Sequence, residues 1–83
     1  MNEQEVEDFI QKIGDRVRVL RSKQSLTLLE LASRSGLDIR QVQRLEANEN
    51  TPTLRTLCRI IRGLGMTFPE FFEFDTERSV EKK

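Results

Sequence analysis

Histidine, tryptophan and tyrosine do not occur in this 83-residue chain, and cysteine occurs once, at Cys58. Without histidine the commonest zinc ligand and the commonest general base are missing, so neither a metal site nor a histidine-dependent reaction is expected. A single thiol cannot close an intramolecular disulfide, and Cys58, at the flank of an apolar stripe, reads as a small half-buried hydrophobe. No apolar run approaches the roughly 20 residues that span a bilayer, and the acidic start MNEQEVED is unlike a signal peptide. A cytoplasmic protein without membrane contact is the expectation. No residue pair offers a nucleophile and its base, so no enzyme, no cofactor and no small-molecule ligand is expected. A chain this short makes one domain with a thin core, whose stability can lean on a partner.

What is present is charge, and it is segregated. The formal net charge is zero, yet residues 1–11 carry only acids, Glu3, Glu5, Glu7 and Asp8. Residues 12–62 carry eleven Lys/Arg against five Asp/Glu, a net charge of +6. The remainder is acidic again. A basic middle segment is the electrostatic signature of a polyanion partner only if it coincides with a binding scaffold, since solvated helix faces carry charge too.

Apolar spacing predicts an all-α domain over residues 1–74, followed by a charged, flexible tail over 75–83. Val6, Phe9/Ile10, Ile13, Val17 and Leu20 recur at three- and four-residue steps, which predicts a helix over 3–23. Its acids fall in the first turns and its bases in the last, matching the macrodipole; Arg16 and Arg18 could serve that dipole or a phosphate. Thr27 with Glu30, and Asp38 with Gln41, have capping-box spacing, so short helices are expected over 28–35 and 39–47. Gly36 falls between them, where a left-handed residue must end the first. Leu28 and Leu29 cannot both face the core. Asn48 is placed as a left-handed cap, Thr53 as the cap of a helix over 54–63 with Leu54, Leu57, Ile60/Ile61 and Leu64 on its apolar side. Gly65 ends that helix, and Thr67 with Glu70 starts a last one over 68–74.

From Leu28, the small Ala32 comes four residues on and the turn glycine Gly36 eight on, with Val42 and Leu45 forming a narrow apolar seam beyond. A small crossing residue, a turn glycine and that seam are what a helix-turn-helix requires.

On IGDRVRVLR (13–21), LTLLELASRSGL (26–37), Leu45-Glu46-Ala47-Asn48, PTLRTLCRII (52–61) and GLGMTFPEFF (63–72), the chain resembles the Cro and phage-repressor (XRE-type) helix-turn-helix regulators. The resemblance implies a compact five-helix domain, with its helix-turn-helix at the second and third helices, that binds double-stranded DNA as a homodimer. It puts base contacts on Ile39, Arg40 and Arg44, with Gln41 and Gln43 adjacent, and phosphate contacts on Thr27, Leu28, Asn48, Asn50, Thr53 and Arg55. Arginine can bond O6 and N7 of guanine, glutamine can pair with adenine, and isoleucine can pack on a thymine methyl. The family often carries Gln at the position of Leu28; leucine leaves only backbone N–H groups for a phosphate there. A dimer surface is expected around helix 5, from Leu64, Met66, Phe71 and Phe74. The alternative is the same scaffold used mainly to bind protein, as an antitoxin does, which the neutral net charge and exposed-looking apolar residues favour.

Overall fold

The apolar periods resolve into five helices: α1 (Glu3–Lys23), α2 (Leu28–Ser35), α3 (Ile39–Glu46), α4 (Leu54–Gly63) and α5 (Phe68–Phe71). This computed structural model describes residues 1–73, which contain no strand. Phe74 and the tail expected over 75–83 lie outside the described residues. Two ends differ from the sequence expectation: α3 stops at Glu46, with Ala47 as its cap, and α5 stops at Phe71, with Phe72 as its cap.

Each start is a side chain closing on its own first turn. Asn2, Thr27, Asp38 and Thr67 form reciprocal capping boxes with Glu5, Glu30, Gln41 and Glu70, whereas Thr53 caps α4 alone. Each of the four longer helices stops in one way. Ser25, Gly36, Asn48 and Gly65 take φ values of 59°, 68°, 61° and 73°. The next N–H then returns to a carbonyl five residues back, in the bonds Leu26→Arg21, Leu37→Ala32, Glu49→Arg44 and Met66→Ile61. This left-handed stop satisfies carbonyls that the helix itself cannot.

The core gathers Val17 and Leu20 of α1, Leu31 and Ala32 of α2, Val42 and Leu45 of α3, Leu57, Ile60 and Ile61 of α4, and Phe71 of α5. Two glycines set how closely helices approach. A Cβ at Gly14 of α1 would lie 2.5 Å from the Leu45 carbonyl oxygen and 2.6 Å from Asn48 Oδ1; one at Gly63 of α4 would collide with Ser35 Oγ of α2.

Three apolar expectations are corrected by this packing. Leu64 and Phe71, expected at a dimer surface, are 3% and 0% exposed and belong to the core of a single chain. Phe71 is drawn inward because α5 folds back on α1: Arg16 Nε and Nη2 donate to the carbonyls of Phe71 and Glu70 at 2.8 and 2.9 Å. Leu54, expected on the inner stripe of α4, is 76% exposed, because the first turn projects beyond the core.

A second cross-link holds the helix-turn-helix to α1. Arg21 donates to Glu46 through Nε (2.7 Å) and Nη2 (3.0 Å), and through Nη1 to the carbonyl of Leu26 (2.8 Å). The Glu46 hydrogen bonds, and to a lesser degree its charge, raise the guanidinium's pKa above its ordinary value, while burial opposes the shift. The bidentate geometry fixes orientation as well as supplying attraction.

Candidate nucleic-acid interface

The α3 sequence IRQVQRLE divides its residues by helical angle. Val42 and Leu45 are buried, Ile39 is half-buried against the core, and Arg40, Gln41, Gln43 and Arg44 are exposed. The structure thus brings the four polar candidates onto one outer face. Gln41 is the constrained member, since its Oε1 accepts the Asp38 N–H at 2.9 Å. Pairing with adenine through both amide atoms would break that cap, so only its NH₂ is free of competition. Nothing comparable holds Arg40 or Arg44: among the described residues neither guanidinium has an ion-pair or hydrogen-bond partner.

Beside this face lies a cleft of about 250 Å³, lined by Gln41 and Arg44 of α3, Asn50 and Pro52 of the loop, and Thr53 and Thr56 of α4. Four candidates from three segments meet there. Thr56 was not among them, although the T-x-x-T spacing from Thr53 signals it: Thr53 Oγ1 accepts the Thr56 N–H at 3.1 Å and lies 3.1 Å from the Thr56 hydroxyl.

The two helix starts expected to grip phosphate differ electrostatically. At α2, Thr27 is capped by Glu30, whose Oε1 accepts the Thr27 N–H at 2.8 Å. That bond, then the one with the Thr27 side chain, lowers the Glu30 pKa, so a full negative charge stands where a phosphate would dock. Leu28 is half-buried against the core and Leu29 is 64% exposed, which settles which of the two leucines faces out. The first turn of α4 contains no acid and contains Arg55, so its positive dipole end is uncompensated. Asn48 points elsewhere: its Nδ2 lies 3.4 Å from Asp15 Oδ1, and its side chain packs on Gly14. Asn50 borders a second groove that also holds Glu7, Asp8 and Glu49, a negative wall for any phosphate on that side. Arg16, whose sequence reading left a phosphate contact open, is occupied by the α5 carbonyls.

Two short helices joined through a left-handed glycine, the second presenting a cationic polar face, define a helix-turn-helix DNA-binding domain. The Helix-turn-helix family matches residues 17–71, and the chain belongs to it, among the XRE-type transcriptional regulators that the sequence resembles. It is 29% identical over 66 residues to the HTH-type transcriptional regulator SutR of Escherichia coli (strain K12), an alignment covering 80% of this chain and 37% of that protein. The chain thus spans little more than a third of the length of that relative. Among solved structures, the wild-type restriction-modification controller protein C.Esp1396I superposes with a TM-score of 0.76 at 26% identity, covering 89% of this chain and 94% of that one. A point mutant of the same controller superposes with a TM-score of 0.78 at 24% identity, covering 89% and 96%. Both named relatives are regulators by their descriptions, one a transcriptional regulator and the other a restriction-modification controller. Among the described residues no helix is long and apolar enough to cross a membrane.

Proposed function

We propose that the protein is a sequence-specific regulator that reads double-stranded DNA with α3 in the major groove. The observation that carries this reading is the outer face of α3, where Arg40, Gln43 and Arg44 stand exposed over buried Val42 and Leu45. Arg40 and Arg44 supply the bidentate donors that distinguish guanine, and Gln43 the pair that distinguishes adenine. The acid-free start of α4, with Thr53 and Arg55, is the main phosphate anchor; Asn50 assists from the loop. At α2 the Thr27 hydroxyl and the Leu28 N–H contribute less, against the repulsion of Glu30.

One copy of α3 reads only a few base pairs, so useful specificity calls for a two-fold dimer on a palindrome with half-sites about 10 bp apart. With Leu64 and Phe71 committed to the core, the dimer contact falls to exposed Leu54 and Phe72 and half-buried Met66.

Selection of bound duplexes from a random pool tests the reading directly. A palindromic consensus with guanine in each half-site is expected, and R44A should bind it more weakly by about 1–3 kcal/mol. No enrichment, or an unchanged R44A, would remove α3 from the role of reader. A protein that remains monomeric by sedimentation at high micromolar concentration, with and without the selected duplex, would remove the dimer.

A further inference from the structure

On another side of α4 from the reading cleft lies a larger groove, of about 440 Å³, walled by Arg34 and Ser35 of α2, Arg55, Arg59 and Arg62 of α4, and Phe68 of α5. We propose that this groove binds a small anion bearing two or more phosphate groups, at a site separate from the DNA-reading face. Four guanidiniums line it, and among the described residues no carboxylate does. Among the described residues none of the four arginines makes a hydrogen bond or an ion pair, so their donors are uncommitted. The acid that senses Arg34 is Glu30, one turn away on α2 and outside the lining.

Arginine is the side chain suited to phosphate, through paired planar donors. Phe68, 45% exposed at the rim, offers a flat apolar surface beside the charge, and the volume falls within the roughly 300–1,000 Å³ usual for small-molecule sites.

Position favours a small anion over the DNA backbone. Thr56 lines the reading cleft and Cys58 lines this groove. Two residues apart on a helix, they point about 200° from one another around the axis. The groove shares no lining residue with the reading cleft, although Arg55 and Arg59, the latter about 60° from Thr56 around the axis, lie on the side that a duplex seated on α3 approaches.

The test is calorimetric titration of inorganic pyrophosphate into the full chain at fixed ionic strength. It compares the wild type with R34Q/R62Q and with R18Q/K23Q, which removes the same charge elsewhere. All four positions are exposed, and circular dichroism verifies that both variants fold. One pyrophosphate per chain is expected for the wild type and for R18Q/K23Q, with affinity about tenfold or more weaker in R34Q/R62Q through loss of charge-assisted hydrogen bonds. Equal weakening in both double variants would reduce the effect to net charge and overturn the site. So would the absence of saturable binding to the wild type. If R34Q/R62Q lost affinity for random duplex DNA as R44A does, while the wild type took up no pyrophosphate, the arginines would belong to the DNA footprint and the proposal would fall.

Discussion

Ser25 and Glu46 show how single side chains carry disproportionate weight here. Ser25 holds φ at 59°, a conformation that Gly36 and Gly65 adopt without a Cβ penalty and that Asn48 tolerates. Relief of that strain outweighs the extra freedom glycine gives the unfolded chain, so S25G is expected to raise stability by about 0.5–1 kcal/mol. A shift of the urea midpoint with an unchanged slope would register it. Glu46 acts in the opposite sense. Its side chain is 8% exposed and that of Arg21 17%, so E46A strands a largely buried guanidinium and should cost about 3 kcal/mol. The same urea experiment distinguishes this from the fraction of a kilocalorie typical of an exposed pair such as Arg18 with Asp15, 3.7 Å apart.

At the scale of the element, each helix is delimited by chemistry written within a few residues of its ends, and this is why so much of the fold is legible in sequence. The boxes at Thr27/Glu30, Asp38/Gln41 and Thr67/Glu70 and the stops at Gly36, Asn48 and Gly65 depend only on neighbours in the chain. What escapes sequence reading depends on elements far apart. The burial of Phe71 follows from Arg16 reaching the α5 carbonyls, the exposure of Leu54 from the projection of α4 beyond the core, and the closeness of α1 to α3 from Gly14. For the DNA-facing surface, residue types on α3 and the engagement of Gln41 in its capping box were legible, but the commitment of Asn48 to Asp15 was not. The α2 box also makes stability depend on pH. The Glu30 pKa is lower folded than its ordinary value of 4.5. Its stabilising effect is therefore complete above that value and is lost as the pH falls through the lower folded value. E30Q should consequently show a shallower loss of thermal stability than the wild type on acidification below about pH 4.5; parallel profiles would show that the box adds nothing pH-dependent.

For the molecule as a whole, a formal charge of zero conceals an arrangement in which the sign changes from face to face. Glu7 and Asp8 of α1 and Glu49 of the loop after α3 wall one groove, while Arg44 and the acid-free start of α4 border the next. A duplex is thereby attracted on one side and repelled on the adjoining one, so charge orients the encounter without making the protein generally adhesive to polyanions. A steep fall in duplex affinity with rising salt is expected, since phosphate contacts release counterions.

The bidentate link from Arg21 to Glu46 has a consequence for motion. It joins the last turn of α1 to the last turn of α3 across the whole intervening helix-turn-helix. The reading helix cannot lift away by itself without breaking two charge-assisted bonds and exposing Val42 and Leu45. Local opening of α3 is then nearly as costly as loss of the entire fold, and the two should merge into one cooperative unit. In native-state hydrogen exchange, the α3 amides are expected to exchange in the same slow class as those around Val17 and Leu20 of α1. In E46A the α3 amides should separate into a faster class of their own. Fast exchange of α3 in the wild type would show instead that the reader is tethered but free to fluctuate.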